Sequence, residues 1–245
     1  MTDIQMLSSE LHRDLRVVTG RGAEYGEATH IVPVSASELR HLVLEYPVIL
    51  VRDSDSGRYR TCAILGFEEG ENLFLDGEEW DASYVPAHFR RQPFSLVYTA
   101  EKDGKPDPSS LVISIDMDSK RIRKDEGEAL FNEDGSHSDF LKRINDLLVH
   151  IGPSEVATEV FIETLGKHDL IEPARLEVQF EGGETKSFDG LYSVSEKKLN
   201  ELEGDSLAEL FRRGHLQAAL LMLASIGNVR KLLIRKARQG AGGAS

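Results

Sequence analysis

The sequence is poor in cysteine, in tryptophan and in positive charge, and each shortage narrows what the protein can be. A single cysteine, Cys62, in 245 residues excludes an intramolecular disulfide and a zinc site built from thiolates alone. Long hydrophobic runs are missing as well. The longest, Leu216–Ile226, is interrupted by Gln217 and Ser225 and is shorter than a bilayer requires, so no membrane span is expected. No basic segment leads into an apolar run after Met1, so no Sec-type leader is expected. The expected compartment is therefore the bacterial cytoplasm, with export lacking a cleaved signal left open. Phosphate-binding signatures are also absent. Thr19-Gly-Arg-Gly22 places its third glycine one residue late, at Gly26, and no apolar strand precedes it. Neither a P-loop nor a nucleophile elbow occurs.

The formal charge is −13, which argues against general binding of nucleic acid through phosphate neutralisation. The charge is unevenly placed. From Leu210 onward there is no acidic residue, and Arg212, Arg213, Arg230, Lys231, Arg235, Lys236 and Arg238 leave the first 209 residues at −20. Cations near helix ends that pair with an acidic body account for such a cluster. A docking helix for an anionic partner is the sharper alternative.

Residues 1–29 are polar and glycine-spaced and read as a loosely attached arm. Residues 30–238 read as one domain, and the glycine-rich 239–245 as a disordered tail. Ser35-Ala-Ser-Glu38 is a capping box opening a short helix that stops before Pro47. Residues 47–52 and 58–65 flank Asp53-Ser-Asp-Ser-Gly57 as a β-hairpin, and Asn72–Asp76 is expected to add a third antiparallel strand. Phe94–Tyr98 and Leu111–Asp116 supply two more. Phe140, Leu141, Ile144, Leu147, Leu148 and Ile151 fall on one helical face, and Val156–Leu165 reads as a further helix. A returning hairpin, 176–180 with 187–192, precedes four helices at 195–202, 206–213, 216–225 and 228–238. Early strands and late helices define an α+β class, with an antiparallel sheet from the N-terminal half packed with C-terminal helices.

Candidate chemical motifs mostly fail on inspection. Asp116-Met-Asp118-Ser119 begins like a calcium loop, but Arg121 stands where that loop needs glycine and Gly127 where it needs a bidentate glutamate. It reads as a strand ending in a turn. His137-Ser-Asp139, with His168 or His215, has the elements of a facial iron triad, yet the pair sits at a helix start, where Ser and Asp serve as caps and first-turn anions. Metal and cofactor are therefore both expected to be absent, and no catalytic residue is assigned. Cys62 lies mid-strand and reads as a buried, inert thiol.

Residues 80–94, W-D-A-S-Y-V-P-A-H-F-R-R-Q-P-F, concentrate the only tryptophan, two adjacent arginines and two prolines. The aromatics offer large contact areas and the prolines forbid a regular helix. One reading is structural: Trp80 buried on the early strands, with Asp81 paired to Arg90 or Arg91. The other is functional. Adjacent guanidinium forks beside aromatics grip carboxylates and phosphates, and Trp80, Asp81, Tyr84, His88, Arg90, Arg91 and Phe94 form the candidate ligand or partner site.

In this stretch the sequence resembles the bacterial SapC family. The likeness extends from His30-Ile-Val-Pro33 through Tyr46-Pro47, Leu65-Gly66, Gly70-x-Asn72-Leu73-Phe74, Trp80-Asp81-Ala82, Tyr84-Val85-Pro86-Ala87, Arg90-Arg91 and Pro93-Phe94. It continues in Ile115-Asp116, Leu130-Phe131, Asp134-Gly135, Glu172-Pro173 and Gly190-Leu191-Tyr192. Gln92 departs from the family's usual aromatic. The resemblance implies a link to bacterial surface layers and virulence through the family's name, and carries no catalytic residue. Members are encoded beside halogenase-like and cupin-like systems and outer-membrane receptors, which implies an accessory role. The expected function is thus non-enzymatic binding or assembly with a protein partner, oligomers included. The alternative is an enzyme or carrier handling an anionic small molecule or peptide through Arg90 and Arg91.

Overall fold

The computed structural model describes residues 3–102, 105–107, 110–180, 183 and 185–242. Its helices are, in chain order, α1 (Ser9–His12), α2 (Leu39–Leu42), α3 (Ala87–Arg90), α4 (Asp139–Lys167), α5 (Glu196–Asn200), α6 (Gly204–Arg212), α7 (His215–Ser225) and α8 (Val229–Gly242). The class is α+β with antiparallel sheets, as the order of strands and helices predicts. The expectation of one domain over 30–238 meets a different grouping. The chain divides into two compact units: Met1–Ala28, Gly77–Trp80 and Ala87–Pro153 in the first, and Thr29–Asp76, Asp81–Pro86 and Ser154–Ser245 in the second.

In the first unit Leu111–Asp116 is the central strand of three, with Ile4–Met6 on one side and Phe94–Tyr98 on the other. Arg16–Val17 pairs with both Ile122–Arg123 and Glu128–Ala129. The core gathers Leu15, Val17, Phe94, Ile115 and Leu130 with Phe140, Leu141, Ile144 and Leu148 of α4, the helical face that the 3.6-residue period marks out. Of residues 1–29, read as a loose arm, the described 3–28 are built into this unit instead. Leu15 and Val17 are buried, although two apolar residues spaced by two carry little periodic signal.

That same segment supplies a buried ion pair. Glu27 is 0 % exposed and Arg121 2 % exposed. The Arg121 Nη2 donates to Glu27 Oε1 at 2.6 Å, and Arg21 Nη1 donates to the same oxygen at 2.7 Å. Gly22 N–H donates to Glu27 Oε2 at 2.9 Å. Arg121 Nη1 reaches the carbonyls of Val18 and Gly20, and its guanidinium lies 4.4 Å over the Tyr25 ring. Burial pushes the Arg121 guanidinium down from its ordinary pKa, and the Glu27 carboxylate pushes back up. Gly127 sits under the same region at φ +96°, where a Cβ would lie 2.5 Å from the Val17 carbonyl oxygen. The two positions that spoil the calcium-loop pattern are thus explained by packing.

In the second unit five antiparallel strands run in the order Ile171–Gln179, Thr185–Val194, Val48–Arg52, Tyr59–Ile64, Ile31–Pro33. Both expected hairpins are present, the later one longer than predicted, although residues 181, 182 and 184 of its turn lie outside the described residues. The strand expected at Asn72–Asp76 is reduced to Leu75–Asp76. Asn72 takes the Phe74 N–H on its side chain and the Leu75 N–H on its carbonyl, which turns the chain, and the place beside Tyr59–Ile64 goes to Ile31–Pro33. The capping box forms: the Glu38 carboxylate accepts from the Ser35 N–H and hydroxyl at 2.9 and 3.0 Å.

Two helix expectations change. Val156–Leu165 is not separate but part of α4, which contains Pro153. Buried residues on either side, Leu148 and Phe161, anchor its halves in their own units and outweigh the local cost of the proline. A 3-10 turn, Ile226–Asn228, joins α7 to α8, so the apolar stretch does not end at Ile226. Among the described residues, His215–Gln239 is long and apolar enough, by length and composition alone, to cross a bilayer. Its inward side is anchored in the second unit: Ser225 Oγ accepts the Val48 N–H at 2.9 Å, and Asn228 Nδ2 donates to the carbonyls of Val43 and Tyr46. Of the tail read as disordered, 239–242 lie within α8 and 243–245 lie outside the described residues.

Removing one partner of the buried pair leaves a charge without its counter-ion. Glu27→Leu is expected to destabilise the protein by about 3–5 kcal/mol in urea denaturation, and Glu27→Leu/Arg121→Leu to recover much of that loss. A second outcome concerns pH. His215 is buried against the edge of Phe161, its Nδ1 without a hydrogen-bond partner among the described residues. Burial, with Arg213 nearby, lowers its pKa below the ordinary 6.5. The neutral imidazole therefore favours the folded state above that value, and this contribution is lost as pH falls through and below it. Melting temperatures between about pH 8 and pH 5 should fall less in His215→Leu than in wild type.

Candidate functional site

Residues 80–94 leave the first unit after Trp80, pass through the second from Asp81 to Pro86, and re-enter the first at Ala87. The seven candidate residues are therefore divided. Trp80, His88, Arg90, Arg91 and Phe94 belong to the first unit, and Asp81 and Tyr84 to the second.

Within the second unit the segment is fastened at each polar residue. Asp81 N–H donates to the Phe74 carbonyl at 2.7 Å. Arg235 of α8 pairs with the Asp81 carboxylate through Nη1 and donates to its carbonyl from Nη2 at 2.6 Å. The same guanidinium lies 4.5 Å over the Phe74 ring, a desolvated cation–π placement. The partner of Asp81 is thus Arg235, 154 residues away, and not the neighbouring arginines that proximity in sequence favoured. Ser83 donates its N–H and hydroxyl to Glu45. Tyr84 donates its hydroxyl to Glu38 Oε1 at 2.9 Å, stacks on His41 with centroids 4.8 Å apart, and accepts on its carbonyl the hydroxyl of the fully buried Tyr46. Asp81 and Tyr84, expected in a binding role, are employed in holding the segment.

The first-unit part has a different character. Phe89 is 2 % exposed, and Ala87, Pro93 and Phe94 are buried with it. Phe94 joins the core beside Phe140 at 6.2 Å. The Gln92–Pro93 peptide is cis. Trp80, expected to be largely buried, is only half-buried. Its ring rests on Phe89 at 5.2 Å, and the His88 ring meets Phe89 edge-on at 5.6 Å. The reason lies in α3: a single helical turn directs Phe89 inward and leaves Trp80 to cover it from outside. Arg90 is exposed, whereas Arg91 is half-buried and donates from Nη1 to the Phe94 carbonyl at 3.3 Å. The α3 turn thus carries an exposed cation and the half-buried His88, and its Phe89 is covered by the half-buried Trp80.

Other chemical candidates sit in structural roles. His137 is exposed beside Phe131, Asp139 pairs with Lys142, and His168 Nε2 lies 3.2 Å from Glu209. Lys142 holds the Asp139 carboxyl below its usual range. Among the described residues no group of three or more His, Cys, Asp or Glu could hold a metal ion. Cys62 is buried and desolvation raises its thiol to about 12, a poor nucleophile at neutral pH. Sequence reasoning missed the Glu27–Arg121 pair, since nothing local links residues 94 positions apart.

The fold and these positions now stand beside a match to the SapC family model over residues 7–232. The chain belongs to the SapC family. No curated protein and no solved structure matches it. Many positions through which the chain resembles the family prove to be fold determinants. In this SapC protein Tyr46 is sealed beneath Tyr84, Phe94, Ile115 and Leu130 are core, and Gly66 leaves a Cβ position 2.6 Å from the Glu71 carbonyl oxygen.

Burial orders the expected losses in this stretch. Phe89→Ala should cost about 3–5 kcal/mol and the half-buried Trp80→Ala about 1–2 kcal/mol, in proportion to apolar area covered. Chemical denaturation of the two variants checks the ranking, and a larger loss at Trp80 would contradict it.

Proposed function

We propose that this SapC-family protein is a non-enzymatic binding or accessory protein, acting in the cytoplasm, that receives an anionic group of its partner on the α3 surface. One observation carries the reading: Arg90 is exposed on the α3 turn, which also carries the half-buried His88 and, through Phe89, meets the half-buried Trp80 ring. Asp81, Ser83 and Tyr84 are meanwhile engaged inside the second unit. A guanidinium offers a planar fork for a carboxylate or phosphate, and the rings on and against the same turn offer apolar contact area. In a chain of net charge −13 such a cation is a local exception to the field.

The test uses a glutamate-rich peptide and inorganic phosphate as probes in titration calorimetry of the full chain. Peptide binding is expected for wild type and weakened about tenfold or more in Arg90→Ala. Arg91→Ala, which loses its bond to the Phe94 carbonyl, should lower stability instead. Equal binding by wild type and Arg90→Ala removes the reading. Chemical conversion of a bound anionic ligand, seen by mass spectrometry, would favour an enzyme or carrier of anionic small molecules in its place.

A further inference from the structure

The C-terminal helices present a surface that the proposed site does not use. The α7, 3-10 and α8 stretch passes the length and composition test for a membrane helix, yet only 28 % of the tested window is buried within the protein. A core helix would explain such composition only if it were mostly covered. Here Ala219, Met222 and Leu232 face inward, and the opposite side leaves Leu220 50 % and Ile234 47 % exposed. Exposed positions recur at Leu220, Ala224, Gly227, Arg230, Ile234 and Arg238, every three or four residues, and so trace one side through the 3-10 turn. Phe211, at the end of α6 just before the turn into α7, is 72 % exposed.

Charge follows the same surface. No acidic residue occurs from Leu210 to the C-terminus. Of the seven cations in that stretch, four are engaged within the second unit. Arg235 and Lys236 pair with Asp81 and Glu71, Arg213 lies 3.6 Å from Glu209, and Lys231 donates to the Leu44 carbonyl. Arg212, Arg230 and Arg238 are exposed and form no ion pair among the described residues. Local charge governs docking here, because the acidic remainder of the chain is screened beyond roughly 8 Å at physiological ionic strength.

We infer that this face docks on an anionic lipid bilayer, lying in the interface without crossing it. Charge complementarity selects the anionic bilayer: with no acidic residue from Leu210 onward, single large apolar side chains stand among cations, and an interfacial helix sets such apolar side chains into the acyl boundary and its cations at the phosphates. The buried inward side, fixed by Ser225 and Asn228 to the sheet and the Val43–Tyr46 turn, keeps the helix on the protein and limits entry to the exposed face.

Co-sedimentation of the full chain with vesicles of phosphatidylcholine, alone or with phosphatidylserine, tests this. Binding is expected only to the phosphatidylserine vesicles and should weaken as salt is raised. Phe211→Ser/Ile234→Ser and, separately, Arg230→Ala/Arg238→Ala should each weaken it about tenfold or more. Circular dichroism should find both variants folded, as these side chains are exposed. Failure of wild type to bind phosphatidylserine vesicles overturns the inference, as does unchanged binding by the variants. Protease protection of residues 215–239 inside vesicles would indicate a spanning helix and overturns it too. Binding of a glutamate-rich peptide through Arg230 and Arg238, with no vesicle binding, would make the face a protein-docking surface.

Discussion

Much of the second unit depends on one guanidinium. Arg235 holds the carboxylate and the carbonyl of Asp81 while covering the face of Phe74. It therefore ties the last helix, the Phe74 turn and the entry of the 81–86 segment at one point. Lysine could supply the charge but not the planar fork that serves two oxygens and a ring together. The neighbouring contacts extend the same fastening. Glu45 takes both donors of Ser83, Glu38 takes the hydroxyl of Tyr84, and Tyr46 closes the segment from below.

The first unit relies on a comparable device with a different balance. Glu27 and Arg121 are removed from water almost completely, and such a pair gains little net stability over an apolar replacement. What it gains is specificity of placement. Glu27 draws Arg21, Arg121 and the Gly22 N–H around one carboxylate, and Arg121 draws in the carbonyls of Val18 and Gly20. A glycine-spaced segment with few apolar residues acquires a defined path because leaving any of these groups unpaired would be costly.

Both units hold arginines that are committed to named acceptors, such as Arg121 and Arg235, and arginines at the surface: Arg90 in the first unit and Arg212, Arg230 and Arg238 in the second are exposed. In a chain of charge −13, an exposed arginine amid aromatic or apolar side chains is where an anionic group meets the least repulsion. The Trp80–Phe89 pair and the Leu220–Ile234 side of α7 and α8 are the apolar side chains beside which the two proposals place an anionic group.

The amino-acid order alone determined the α+β class, the capping box at Ser35–Glu38, the hairpin about Asp53–Gly57, the Phe94–Tyr98 and Leu111–Asp116 strands and the inward face of α4. All of these are written in neighbouring residues through periodicity, caps and turn chemistry. It also marked the family and the 80–94 stretch. Tertiary structure alone decided the partner of Asp81, the half-exposure of Trp80, the incorporation of the first residues into a core and the continuity of α4 through Pro153. Each of these depends on groups far apart in the chain. Ion pairing and burial are set by distance in space and by loss of water, and local pattern carries no information about either.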